Sequence, residues 1–114
     1  MNSDTLVSFT RHGMGEADDA PLRLKLAGVW LTMALENDRL PGAITFYTDG
    51  VRLACEGSPV LQQLEAMEAK GVRLILCKTC LDAFGLLDQV AVGVVGGMGD
   101  IFAAQTHAAK VVAL

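Results

Sequence analysis

The sequence predicts an α/β protein: a three-layer α/β/α sandwich around a five-stranded, mostly parallel sheet. Three observations predict it. Short apolar runs alternate about four times with segments whose apolar residues recur at helical spacing, and a last short run closes the chain. The short runs are near-continuous in Val, Ile and Leu rather than alternating with polar residues, as in strands covered on both faces. The 114 residues are 52% hydrophobic but only 5% aromatic, which fits one aliphatic-cored domain over residues 1–114.

The elements follow in order. Thr5–Thr10 reads as the first strand, followed by a turn-rich stretch, Arg11–Pro21, with two glycines and three acids. Leu22–Asn37 is apolar at Leu22, Leu26, Val29, Trp30 and Met33, a helical spacing; Pro21 suits its first turn, and Asp18 and Asp19 suit its positive end. Asp38–Gly42 stops it, and Ala43–Tyr47 is the second strand. Ser58-Pro59 opens a second helix, Val60–Lys70, which Gly71 caps. Val72–Leu76 is the third strand and Leu81–Leu87 a short third helix. Gln89–Val92 reads as the fourth strand, Asp100–Ala109 as a helix and Val111–Ala113 as the fifth strand. Strand order does not follow from the sequence.

Composition excludes several classes. Lys+Arg is 9 against Asp+Glu 13, a net charge of −4, which counts against a nucleic-acid binder. No apolar run approaches the ~18–20 residues that span a bilayer, and the amino terminus lacks a basic-then-apolar signal layout, so no membrane partner and a cytoplasmic location are expected. Three cysteines cannot all pair within one chain, and thiols in a reducing compartment are the expectation.

Open α/β sheets bind ligands beyond the carboxyl ends of their strands. Four loops leave those ends: Arg11–Ala20, Thr48–Ser58, Cys77–Cys80 and Gly93–Gly99. All three cysteines and His12 fall in them. Cys77-Lys78-Thr79-Cys80 sits at a strand-to-helix junction, where orphan N–H groups, the helix dipole and Lys78 are expected to lower a thiol pKa. Such a thiolate can attack a disulfide, accept sulfane sulfur or bind metal. Cys55, in contrast, suits a small packed residue.

Other readings are weighed on the same residues. A thioredoxin-type oxidoreductase wants a cis-proline facing its CxxC pair, and no proline follows Cys80. Cys55, Cys77, Cys80 and His12 would make a Cys₃His zinc set, drawn from three separate loops. Arg11-His12-Gly13 matches the signature tripeptide of histidine phosphatases, but His107 is the only other histidine and lies in a helical segment. Gly93–Gly99 fails the dinucleotide fingerprint, since the register starting at Gly97 puts Phe102 at the third glycine position. His107 and Met98 read as ordinary helix-surface and loop residues.

The middle of the chain resembles a known family. Ile44-Thr45-Phe46-Tyr47-Thr48-Asp49-Gly50-Val51-Arg52-Leu53, then Glu56-Gly57-Ser58-Pro59-Val60, then Cys77-Lys78-Thr79-Cys80-Leu81-Asp82 resemble the DsrE/DsrF-like family, closest to the DsrE-like domain of YedF-type selenium-metabolism proteins. The resemblance implies the three-layer fold, association into trimers or hexamers, and a sulfur relay in which a loop cysteine carries a persulfide between sulfur donor and acceptor proteins. Cys77 matches the family's carrier cysteine and Cys80 the second cysteine of the YedF-type pattern. The pair encloses Lys78-Thr79 where the pattern usually has Gly-Thr.

The expectation is therefore a sulfur or selenium carrier, with Cys77 taking the sulfur and Cys80 resolving or sheltering it. Lys78, Thr79, Gly50 and Gly97 are the candidate substrate-binding residues, and no cofactor or resident metal is expected. Two alternatives stay open: an oligomeric small-ligand or anion-binding module with its pocket in the loops after the first and fourth strands, and the zinc site.

Overall fold

Five strands, β1 (Thr5–Phe9), β2 (Ala43–Phe46), β3 (Arg73–Cys77), β4 (Val94–Gly96) and β5 (Lys110–Ala113), form one sheet in the order β4-β3-β2-β1-β5. Every pairing is parallel. The computed structural model describes residues 4–114. The helices are α1 (Ala20–Glu36), α2 (Leu61–Ala69), α3 (Lys78–Phe84) and α4 (Met98–His107), with 3-10 helices at Thr48–Ala54 and Leu87–Gln89. The chain steps from β1 to β4 in one direction and then returns across the sheet to β5. Right-handed crossovers therefore put α1, α2 and α3 on one face and α4 on the other, the predicted three-layer sandwich.

Local chemistry explains the element ends. The Asp19 side chain accepts the Leu22 N–H at 3.1 Å and starts α1, with Pro21 in the first turn. Gly71 leaves α2 at φ +95°, and Gly85 ends α3 in the left-handed region at φ +66°. In the sheet, β1 and β2 pair Phe9 with Phe46, whose rings stack at 5.8 Å. The neighbouring pair, Ser8 and Thr45, is buried and joined hydroxyl to hydroxyl at 2.9 Å, so its polar atoms are satisfied inside the sheet. Among the described residues no helix is long and apolar enough to cross a membrane.

Three expectations are corrected. The fourth strand is Val94–Gly96, not Gln89–Val92. Val90 bridges Cys55, the Ala91 and Val92 N–H groups bind Ala54 O, and Gly93, at φ +81°, turns the chain into β4. The Val90–Val92 run thus seals the core against the 3-10 helix instead of joining the sheet. The third helix starts three residues early, at Lys78, and ends at Phe84, so Cys80 lies inside its first turn rather than opening it. The first half of the Thr48–Ser58 loop is a largely buried 3-10 helix.

Candidate functional site: a thiol pair at the carboxyl edge of the sheet

Cys77 is the last residue of β3 and stands at the N-cap of α3. Its side chain is buried, with the residue 1% exposed. Cys80, half-buried, follows in the first turn of α3, and the Cys77 thiol is near enough to act on its protonation. The third partner comes from β2. Thr48, the first residue after Tyr47, donates its backbone N–H to Cys80 Sγ at 3.0 Å.

The Thr48 backbone is held at φ +49°, where a β-branched residue is strained. What holds it is its own hydroxyl, within hydrogen-bond distance of Thr10 O and Tyr47 O. The ends of β1, β2 and β3 are therefore tied together at one spot, with the Cys80 sulfur facing a fixed N–H donor. Gly50 makes this possible. A Cβ there would lie 2.0 Å from Phe9 O, so only glycine lets the 3-10 helix settle onto the end of β1.

The electrostatics differ from the sequence expectation. Burial pushes the Cys80 thiol up, the Cys77 thiol and the Asp49 carboxylate push it further, and the Thr48 N–H opposes them. Helix α3 has only seven residues and Lys78 is bound to Asp82 at 2.7 Å, so neither dipole nor ammonium outweighs desolvation. Cys55 fits its packed reading: it is 3% exposed, its thiol donates to Val51 O at 3.3 Å, and burial raises its pKa.

The remaining predicted residues are spread around the pair. Lys78 and Thr79 are exposed on α3. The register pairs Cys77 with Gly96, which puts Gly97 beside the junction as the N-cap of α4. The loops after β1 and β4 do not meet in a pocket, since β2 and β3 lie between those strands. The cleft after β1 is completed by Asp49 and Arg52 from the loop after β2. Among the described residues no three His, Cys, Asp or Glu side chains assemble as a metal requires, so the Cys₃His zinc set is not brought together. Sequence reasoning missed Thr48 as a donor and Arg52 as a site residue. The available signal was Asp49-Gly50 directly after a strand, which marks a tight turn on the edge where chemistry is expected.

A parallel sandwich with two thiols at the carboxyl end of β3 and in the helix that follows defines a thiol-bearing α/β class. The model of the DsrE/DsrF-like family matches residues 7–114, and the chain belongs to that family, which is associated with sulfur relay. No curated protein matches it. Among solved structures it is similar to the YchN protein of E. coli, at 20% identity and TM-score 0.68 over 96% of this chain and 98% of that one. It is also similar to MTH1491 of Methanobacterium thermoautotrophicum, at 22% identity and TM-score 0.67 over 96% and 97%. The third, BT1422 of Bacteroides thetaiotaomicron, has 14% identity and TM-score 0.67 over 97% and 95%. The last two are described as proteins of unknown function, and at these identities all three likenesses are of fold.

Proposed function

We propose that the chain is a sulfur carrier in which Cys80 receives sulfane sulfur as a persulfide and Cys77 acts behind it. The observation that carries this reading is the Thr48 N–H on the Cys80 sulfur, with the buried Cys77 thiol at the start of the same helical turn. This reading takes the two cysteines in the reverse of the order that family resemblance implies, and relative exposure supports it. Cys77 is enclosed and Cys80 reaches the surface, so a donor meets Cys80 first. The Thr48 N–H then stabilises the anionic sulfur by a charge-assisted hydrogen bond. Attack of the Cys77 thiolate on Cys80 Sγ forms the Cys77–Cys80 disulfide and releases the carried sulfur as hydrosulfide. Selenium, chemically similar and more acidic as a selenol, suits the same pair. Sulfur donor and acceptor proteins are the partners in this reading, and a homo-oligomer is the working form.

The test is intact mass after loading the reduced protein with a sulfane-sulfur donor, for the wild type, Cys77→Ser and Cys80→Ser. One added sulfur, about 32 mass units, is expected to persist on Cys77→Ser and to be lost from Cys80→Ser, while the wild type should pass from that adduct to a disulfide about two mass units below the reduced chain. Loss only with Cys77→Ser would return the carrier role to Cys77. No adduct on any protein would end the carrier reading.

A further inference from the structure

Next to the thiol pair lies a polar cleft of about 460 Å³ at the carboxyl ends of β1 and β2. Its cations are not equally engaged. Arg11 is spent on Glu16 at 2.6 Å and on Leu114 O at 3.0 Å. Arg23 binds Ala17 O and His12 O through Nη1 and Nε, leaving Nη2. Arg52 gives Nε to Asp49 at 3.0 Å, and its two terminal nitrogens carry no hydrogen bond among the described residues. The His12 ring is likewise without a hydrogen-bond partner among them. Of the acids, Glu16 and Asp49 are paired and Asp18 is exposed at the rim. Apart from the Asp18 carboxylate at the rim, the unspent groups are therefore the Arg52 and Arg23 terminal nitrogens and the His12 ring.

The cleft is joined to the thiols by direct contacts. The Arg52 guanidinium lies 4.3 Å from the centroid of the Phe84 ring, one helical turn after Cys80 on the same face of α3. Thr10 and Asp49 line the cleft, and Thr48, next to Asp49 and bonded to Thr10 O, holds the Cys80 sulfur. The field supports an anion: Arg52 and Arg23 both push the His12 pKa down in addition to burial, and Asp49 only partly offsets them.

We propose that this cleft holds the oxyanion end of a small anionic sulfane-sulfur donor, with thiosulfate the simplest case, and so allows Cys80 to be loaded without a donor protein. The inference rests on Cys80 being the carrier cysteine. The step balances with no oxidant or reductant. Cys80 loses its proton to water, and its thiolate attacks the outer sulfur of thiosulfate. The thiosulfate S–S bond breaks, sulfite leaves with that electron pair, and a new S–S bond remains on Cys80. The donors of Arg52, Arg23 and His12 bind the sulfonate before the step and the sulfite dianion after it.

The experiment loads the reduced protein with thiosulfate, reading the added sulfur by mass and the released sulfite by titration. Iodoacetamide alkylation of Cys80 serves as the measure of thiol reactivity. One sulfite per added sulfur is expected on Cys77→Ser, where the persulfide is not resolved, and the wild type should release sulfite as its disulfide forms. Sulfate should compete with thiosulfate more than chloride does at matched ionic strength, without slowing alkylation. In Arg52→Gln and Arg23→Gln/Arg52→Gln, loading at low thiosulfate should fall at least about tenfold relative to alkylation, the loss of one charge-assisted hydrogen bond. The proposal is overturned if sulfate acts no differently from chloride, or if the variants keep the wild-type ratio. Inorganic polysulfide, which lacks the oxyanion, separates the two readings. Loading by polysulfide but not thiosulfate overturns the cleft alone, while loading by neither overturns the carrier as well.

Discussion

At Cys80, burial and the neighbouring Cys77 and Asp49 favour the thiol, whereas the Thr48 N–H favours the anion. Burial is the largest of these, so the folded-state pKa lies above that of a free thiol and the thiolate fraction at neutral pH is smaller than in solution. At neutral pH this thiol therefore rests protonated. Alkylation followed by mass against pH should give one adduct on the native protein, since Cys55 and Cys77 are 3% and 1% exposed. Its rate should climb about tenfold per pH unit and pass its midpoint above the ~8.5 of an unperturbed thiol. A midpoint below that value, or three thiols reacting together, would contradict the geometry. The place of the pair was legible in the sequence, because Cys77 follows a continuous apolar run and Cys80 lies one helical turn on. The sign of the shift was not. It depends on how deeply α3 sinks against the 3-10 helix and on an N–H whose direction only the Thr48 backbone sets.

The 3-10 helix Thr48–Ala54 positions both the thiol pair and the cleft, because its first residues supply the Thr48 amide and Asp49 and its fifth is Arg52. Its seat is the contact between Gly50 and the Phe9 carbonyl, backbone against backbone, which no rotamer change can relieve. Gly50→Ala should therefore cost about 2–3 kcal/mol, the range of overpacked cores, seen as a lower urea midpoint. It should also pull the Thr48 amide away from Cys80 Sγ, raising that thiol's pKa further and slowing its alkylation at neutral pH. Gly99→Ala is the contrasting change: its Cβ meets nothing within 4 Å and it sits inside α4, so it should raise stability by about 0.4–1 kcal/mol. Equal effects at the two glycines would argue against the packed seat. The asymmetry marks what was readable. Gly71 announces a helix end by position alone, whereas Gly85 ends α3 inside the stretch expected to stay helical to Leu87, and the role of Gly50 needs the end of β1, about forty residues away. The Gln89–Val92 run was misread as a strand for the same reason: its apolar character serves a contact with Ala54 and Cys55, and periodicity cannot distinguish that from a sheet position.

For the molecule as a whole, the two faces of the sheet are unequally covered. Helices α1, α2 and α3 fill one face, while α4 alone, with ten residues, spans the other. A groove of about 860 Å³ remains between α4 and the strands, floored by Leu6, Ala43, Leu74 and Ile75. Val94, on the lining of the groove, is 60% exposed, Met98 and Phe102 elsewhere on α4 are 53% and 64% exposed, and β4 is an edge strand of three residues. An apolar rim beside an open strand edge is costly to leave in water and prone to pairing. This surface accounts for part of the 52% hydrophobic content, which exceeds what one core of this size requires. We propose that a homo-oligomer is built on the α4 face, in which case sedimentation should find an assembly larger than the 12.0 kDa chain. A stable interface buries about 1,200–2,000 Å² in total, so charges in its middle should be decisive. Met98→Glu with Phe102→Glu should shift the protein to monomers with its circular dichroism unchanged. Met33→Glu, on the outer side of α1, should leave the assembly intact. A wild type that sediments as a monomer at every concentration would refute the oligomer, and dissociation by Met33→Glu alone would move the interface to α1. Because the thiols lie at the carboxyl edge of the sheet and the groove runs along the amino ends of β1–β3, assembly through α4 leaves Cys80 open to its donor. The monomeric variant should therefore still load sulfur on Cys80.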